Sequence, residues 1–62
     1  MTQTHDFNCR LIYYTPTGKR RHFYGKTRAA MADIALEIAE RQLRADKRRR
    51  VARVSYGEAI QQ

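Results

Sequence analysis

The sequence predicts a small α+β domain, a β-β-α-β module whose helix packs on one face of a three-stranded antiparallel sheet of order 2-1-3. Two runs rich in aromatic and β-branched residues flank a turn signal. An amphipathic stretch without Gly or Pro follows, and a third strand-forming run comes last. The 62 residues are expected to form a single domain, 1–62, with flexible ends at 1–6 and 58–62.

The first two strands are predicted to form a hairpin. They span residues 7–14 and 20–24 and are separated by Thr-Pro-Thr-Gly-Lys. Pro16 suits the first corner of a type I turn, and Gly18 suits the left-handed residue that closes a three-residue loop. The loop length therefore predicts the register of the two strands.

That register decides which residues share a face of the sheet. It places Leu11 opposite Phe23 and Tyr13 opposite Arg21. The face predicted to pack on the helix carries Phe7, Cys9, Leu11, Tyr13 and Phe23. The face predicted to be open carries Arg10, Ile12, Tyr14, Arg20, His22 and Tyr24.

A helix is predicted from Arg28 to about Arg44, with Thr27 as its N-cap. Apolar residues recur there at helical spacing. They are Met31, Ile34, Ala35, Ile38 and Ala39, with Leu36 and Leu43 at the flanks. The third strand is predicted over 51–56, and Gly57 is expected to end it.

Charge is the strongest functional signal. Thirteen Lys and Arg stand against six Asp and Glu, so the net charge is +7, and ten of the thirteen cations are Arg. Guanidinium groups make bidentate hydrogen bonds to phosphate and stack on aromatic rings. A polyanionic partner is therefore expected, and nucleic acid is the most common one.

The predicted nucleic-acid site combines the open face with a basic run. The expected phosphate contacts are Arg10, Arg20, Arg21, Lys47, Arg48, Arg49, Arg50 and Arg53. Tyr14 and Tyr24 are expected to stack on bases or support the arginines, and His22 shares their face. The same composition is also typical of an ordinary solvated sheet face or of a protein-binding surface.

Residues Gly18 to Ala30, Gly-Lys-Arg-Arg-His-Phe-Tyr-Gly-Lys-Thr-Arg-Ala-Ala, resemble part of the arm-type DNA-binding domain of phage and transposon tyrosine integrases. A basic strand ending in an aromatic residue, a Thr-containing turn and an Ala-rich helix carry the resemblance. It implies DNA contacted by the sheet face, with Arg20 and His22 as contacts, and it favours DNA over RNA. In that family three strands precede the helix, whereas here the third is expected to follow it.

No catalytic constellation is found, so an enzyme is not expected. His5, His22 and the lone Cys9 do not have the spacing or number of a zinc site, and no phosphate-binding glycine loop is present. No cofactor is therefore expected, and Cys9 is predicted to be a small buried residue. Without a signal-peptide pattern or an apolar run of about 20 residues, a soluble cytoplasmic protein without membrane contacts is expected.

A protein-binding regulator is the alternative function. Small phage- or plasmid-borne regulators, including anti-CRISPR inhibitors, are of this size and could use positive charge to occupy an acidic or nucleic-acid-binding surface of another protein. An apolar patch formed by Ile12, Tyr14 and Tyr24 would favour it. The oligomeric state is open, and a homodimer is compatible with a chain this small.

Overall fold

A computed structural model, which describes residues 3–62, confirms the predicted order of elements and the predicted fold class. The elements are β1 (His5–Tyr14), β2 (Arg20–Ala29), α1 (Ala32–Ala45) and β3 (Arg53–Gln61). β1 is the central strand of a three-stranded sheet of order β2-β1-β3, and it is antiparallel to both neighbours. The helix packs on one face of this sheet.

The turn between β1 and β2 has the predicted geometry. The amide of Gly18 donates to the carbonyl of Thr15 at 2.9 Å, and the amide of Thr15 donates to the carbonyl of Lys19 at 2.9 Å. Gly18 has a φ of 86°, which a side chain would disfavour. Leu11 consequently lies opposite Phe23, as predicted from the loop length.

The core lies between α1 and the alternate residues of β1. The buried β1 residues are Phe7, Cys9, Leu11 and Tyr13. On the helix the fully buried residues are Ala35, Ala39 and Leu43, and the two small alanines let the helix approach the sheet closely. Met31 and Ile34, expected in the core stripe, are instead more than one third exposed.

The prediction that Thr27 caps the helix is wrong. β1 begins at His5, so its first residues offer pairing partners that extend β2 as far as Ala29, and Thr27 pairs with Phe7. Thr27 is buried, and its hydroxyl donates to the carbonyl of Ala35 at 3.5 Å. The helix therefore starts later than predicted, at Ala32, after a capping residue that makes no side-chain cap bond.

The prediction that Gly57 ends the third strand is also wrong. Gly57 lies opposite Leu11 within β3, where the helix passes close to the strand. A Cβ at this position would lie 3.0 Å from Leu11 Cδ2 and 3.2 Å from Leu36 Cδ2. The glycine therefore permits close packing inside the strand.

Parts of the segments 1–6 and 58–62, which were expected to be flexible, contribute to the sheet, while residues 1 and 2 lie outside the described residues. His5 and Asp6 belong to β1, and β3 continues to Gln61. The amide of Gln62 donates to the carbonyl of Asp6 at 2.9 Å. The extra pairs lengthen the central ladder at the end opposite the hairpin turn.

A β-bulge in β3 changes which side chains face the helix. The pairing runs Tyr13 to Val54 and Ile12 to Tyr56, so Ser55 has no partner in the register. Val54 packs against the core, and Tyr56 lies on the opposite face, about half exposed. Without the bulge, strict alternation from Val54 would point Tyr56 toward the helix.

We expect Gly57→Ala to destabilise the protein by about 1–3 kcal/mol, because the added methyl group would crowd Leu36 and the buried Leu11. Urea unfolding followed by circular dichroism measures the change. Gln61→Ala, at an exposed site of the same strand, is the control. Alanine normally favours a strand over glycine, so a gain in stability would contradict the proposed close packing.

Candidate nucleic-acid interface

The sheet face away from the helix, called the open face below, carries four rows of side chains that cross β2, β1 and β3, with the pair Asp6 and Arg28 beyond them. Nearest the hairpin turn is the row Arg20, Tyr14 and Arg53. The second row is His22, Ile12 and Tyr56. The third is Tyr24, Arg10 and Glu58, and the fourth is Lys26, Asn8 and Ile60.

The row nearest the turn is strongly cationic. The Arg53 guanidinium lies over the Tyr14 ring, 4.4 Å from its centroid, which is a cation–π contact. Arg20 lies on the other side of Tyr14 and is exposed. Tyr14 therefore supports one arginine and separates it from the next, so both guanidinium groups remain available to an anion.

The third row is neutralised internally. Arg10 Nη2 donates to Glu58 Oε2 at 3.0 Å, and the guanidinium lies 5.9 Å from the Tyr56 ring centroid. Arg10 Nε is buried and has no hydrogen-bond partner among residues 3–62. Arg10, predicted as a phosphate contact, is thus paired with a carboxylate in this structure.

Aromatic rings are exposed on the open face beyond the cationic row. Tyr24 is 70% exposed, and Tyr56 is 49% exposed. The His22 and Tyr24 rings are nearly parallel, at 11°, with centroids 6.3 Å apart. Tyr24 and His22 were predicted on this face, whereas Tyr56 was missed because only the bulge places it there.

A basic groove lies on the other side of the same end of the molecule, between the hairpin turn and the loop that follows α1. Its volume is about 740 Å³. Its cationic lining residues are Lys19, Arg21, Arg48, Arg49 and Arg50, and its one acidic lining residue is Asp46. Arg21 faces this groove because it pairs with Tyr13, whose side chain points to the helix side of the sheet.

Arg49 holds the loop after the helix against the sheet. Its Nη1 donates to the Tyr13 hydroxyl at 3.2 Å, and its Nε donates to Asp46 Oδ2 at 3.2 Å. The guanidinium also lies 5.2 Å from the Phe23 ring centroid. The hydrogen bond to Tyr13, with that to Asp46, raises the pKa of Arg49 above its ordinary value. Arg49, predicted as a phosphate contact, therefore has a guanidinium group held largely by contacts within the protein.

Asp46 organises the same loop from the end of the helix. The backbone amide of Arg48 donates to Asp46 Oδ1 at 3.0 Å, and this bond is the largest cause of the lowered pKa of Asp46. The guanidinium of Arg49 lowers it further. The Nε of Arg48 lies 3.8 Å from Asp46 Oδ1. Because the Arg48 side chain is 95% exposed, it nevertheless projects into solvent.

The net charge of the chain is concentrated at the end of the molecule formed by residues 15–21 and 46–53, called the basic end. The two segments meet across the groove, and the amide of Ala52 donates to the carbonyl of Tyr14 at 2.7 Å. Eight of the thirteen cations and one of the six acids belong to the basic end, giving it +7. The rest of the chain has five cations and five acids and is neutral.

The basic end includes seven of the eleven predicted site residues, namely Arg20, Arg21, Lys47, Arg48, Arg49, Arg50 and Arg53. Tyr14 adjoins them through Arg53. His22, Tyr24 and Arg10 lie further along the open face. Lys19 also lines the basic groove, although it was not predicted as a contact. Its position beside Gly18 in the predicted hairpin turn could have indicated this from the sequence.

The outer face of the helix offers no comparable surface. Its charged residues are Asp33, Glu37, Glu40, Arg41 and Arg44. Glu40 and Arg44 form an ion pair at 3.2 Å. Because acids and bases share this face, the helix does not present a uniform positive field.

Within residues 3–62 no group of three or more His, Cys, Asp and Glu side chains is arranged to hold a metal ion. Cys9 is buried, as predicted, and its Sγ lies 3.4 Å from Thr27 Oγ1 and 3.7 Å from the carbonyl oxygen of Ala35. The described part of the chain contains no helix that is both long and apolar enough to cross a membrane.

Comparisons with models of protein families, with curated proteins and with solved structures find no significant match to this chain. The resemblance to integrase arm-type domains therefore stays a prediction. The third strand follows the helix, as expected, so the order of elements differs from that of the integrase domain.

We expect Asp46→Asn to destabilise the protein at neutral pH. The folded-state pKa of Asp46 lies below its ordinary value of 3.8, so its stabilising effect is present above pH 3.8 and is lost as the pH falls through the folded-state pKa. The gap between the urea midpoints of wild type and variant should therefore close in acid. Glu37→Gln is the control, and a gap independent of pH would contradict the assigned role of the Asp46 charge.

Proposed function

We propose that this protein binds nucleic acid and that its basic end contacts the phosphates. The observation that carries the proposal is the location of the charge. All of the net +7 belongs to residues 15–21 and 46–53, and the remainder of the chain is neutral. A positive field confined to one end attracts a polyanion and orients it toward that end.

The kind of cation supports nucleic acid as the polyanion. Six of the eight cations of the basic end are arginines. Arginine forms bidentate hydrogen bonds with phosphate oxygens and also stacks on planar groups, as Arg53 does on Tyr14. Both properties serve nucleic acid, which offers phosphates and flat bases together.

Five arginines are assigned as phosphate contacts because they project from the basic end without hydrogen bonds like those of Arg49 to Asp46 and Tyr13. They are Arg20, Arg21, Arg48, Arg50 and Arg53. About five phosphate contacts correspond to a slope of about −4.5 in the plot of log affinity against log salt for duplex DNA. A preference for DNA over RNA rests on the integrase resemblance alone.

The proposed test is fluorescence anisotropy with labelled single-stranded and duplex oligonucleotides. We expect micromolar or tighter binding at about 50 mM salt, and at about 200 mM a loss of roughly a hundredfold for the single strand and of several hundred-fold for the duplex. Absence of binding at the lower salt would contradict the proposal. That result would favour an acidic protein partner instead, for which the exposed Tyr24, Tyr56 and Ile60 offer an apolar contact surface.

A pair of variants with equal net charge tests whether location matters. Arg48→Ala with Arg50→Ala removes two cations from the basic end, and Arg41→Ala with Arg44→Ala removes two from the helix. We expect the first pair to weaken binding at least about tenfold and to reduce the salt slope by about 2, with little change for the second. Equal losses would show that total charge, not the basic end, determines binding.

A further inference from the structure

We infer that the ligand is single-stranded nucleic acid whose bases lie along the open face, starting from the basic end. The inference rests on the proposed function and assigns the ligand class. It is drawn from the continuity between the cationic row Arg20, Tyr14 and Arg53 and the exposed rings in the next two rows. Phosphate-binding and base-stacking groups thus follow one another on one surface.

The second and third rows of the open face are suited to bases and unsuited to phosphates. Glu58 offsets the charge of Arg10, so these two rows have little positive potential. Their exposed side chains include Tyr24 and Tyr56, whose rings can stack on a base of any kind. A strand held by its phosphates at the basic end would place its following bases over these rings.

The aromatic side chains of β2 are regularly spaced along the open face. Side chains on one face of a strand repeat every two residues, which is about 6.6–6.8 Å. The nearly parallel His22 and Tyr24 rings follow this repeat, with centroids 6.3 Å apart. Successive aromatic side chains are therefore offered along β2 in the direction leading away from the basic end.

Duplex DNA fits the same surface poorly. A duplex is read in its major groove by an α-helix or by a two-stranded ribbon. Here β1 is paired on both sides as far as Tyr14, so the open face is a three-stranded sheet, wider than such a ribbon. The outer face of the helix mixes acids with bases. Stacking on the open face requires unpaired bases, which a single strand presents along its length and a duplex does not.

The test compares wild type, Tyr24→Phe and Tyr24→Leu against a single strand and a duplex of the same sequence and label. We expect wild type to prefer the single strand. Tyr24→Leu keeps an apolar side chain but lacks a ring, so it should lose about tenfold in single-strand affinity. Tyr24→Phe should retain that affinity, and duplex binding should be unaffected by either change. Circular dichroism controls for folding, since Tyr24 lies outside the core.

Intrinsic fluorescence gives a second readout, because the chain has four tyrosines and no tryptophan. Stacking of bases on Tyr24 and Tyr56 should quench the tyrosine emission of wild type with a single strand, and the double variant Tyr24→Leu with Tyr56→Leu should lose most of that quenching. Equal or tighter duplex binding, with no effect of Tyr24→Leu, would overturn this inference and leave the proposed function standing. Failure to bind either form would overturn both.

Discussion

The alternation of buried residues along β1 is the constraint on which the rest of the structure depends. Phe7, Cys9, Leu11 and Tyr13 pack beneath Ala35, Ala39 and Leu43, so the intervening residues must face away from the helix. Because β1 is the central strand, its alternation also decides which side chains of β2 and β3 face the helix. A slip of one residue would bury Arg10 and expose the core, so the content of the open face follows from the packing of the other face.

The charge distribution opposes the stability of the isolated protein. Eight cations share the basic end with a single acid, Asp46, and their mutual repulsion favours expansion of that end. The contacts of Arg49 with Asp46 and Tyr13 offset part of this repulsion, and the carboxyl end of the helix dipole, at Ala45, faces the cations favourably. A bound polyanion would remove the remaining repulsion and stabilise the fold through linkage. Such concentration of like charge is expected of a binding surface.

The hairpin and its register could be predicted from Pro16 and Gly18, because a turn of defined length leaves one pairing. The start of the helix could not be read from Thr27, because strand pairing with Phe7 outweighed a local capping preference. The bulge at Ser55 has no clear local sequence signal, and it alone brings Tyr56 to the open face. Likewise, the cations were visible in the sequence, but their assembly at one end depends on the loop after α1 folding against the hairpin turn.

A nuclear magnetic resonance titration of the isotopically labelled protein with a short single-stranded oligonucleotide tests most directly whether the basic end is the binding surface. We predict that the largest amide shift changes fall on residues 15–24 and 46–56, which include the basic end and the β2 and β3 residues of the first rows of the open face. Residues on the outer face of the helix, including Glu37 and Arg41, should change little. Dominant changes along the helix, or no changes at low salt, would contradict the claim that the basic end is the binding surface.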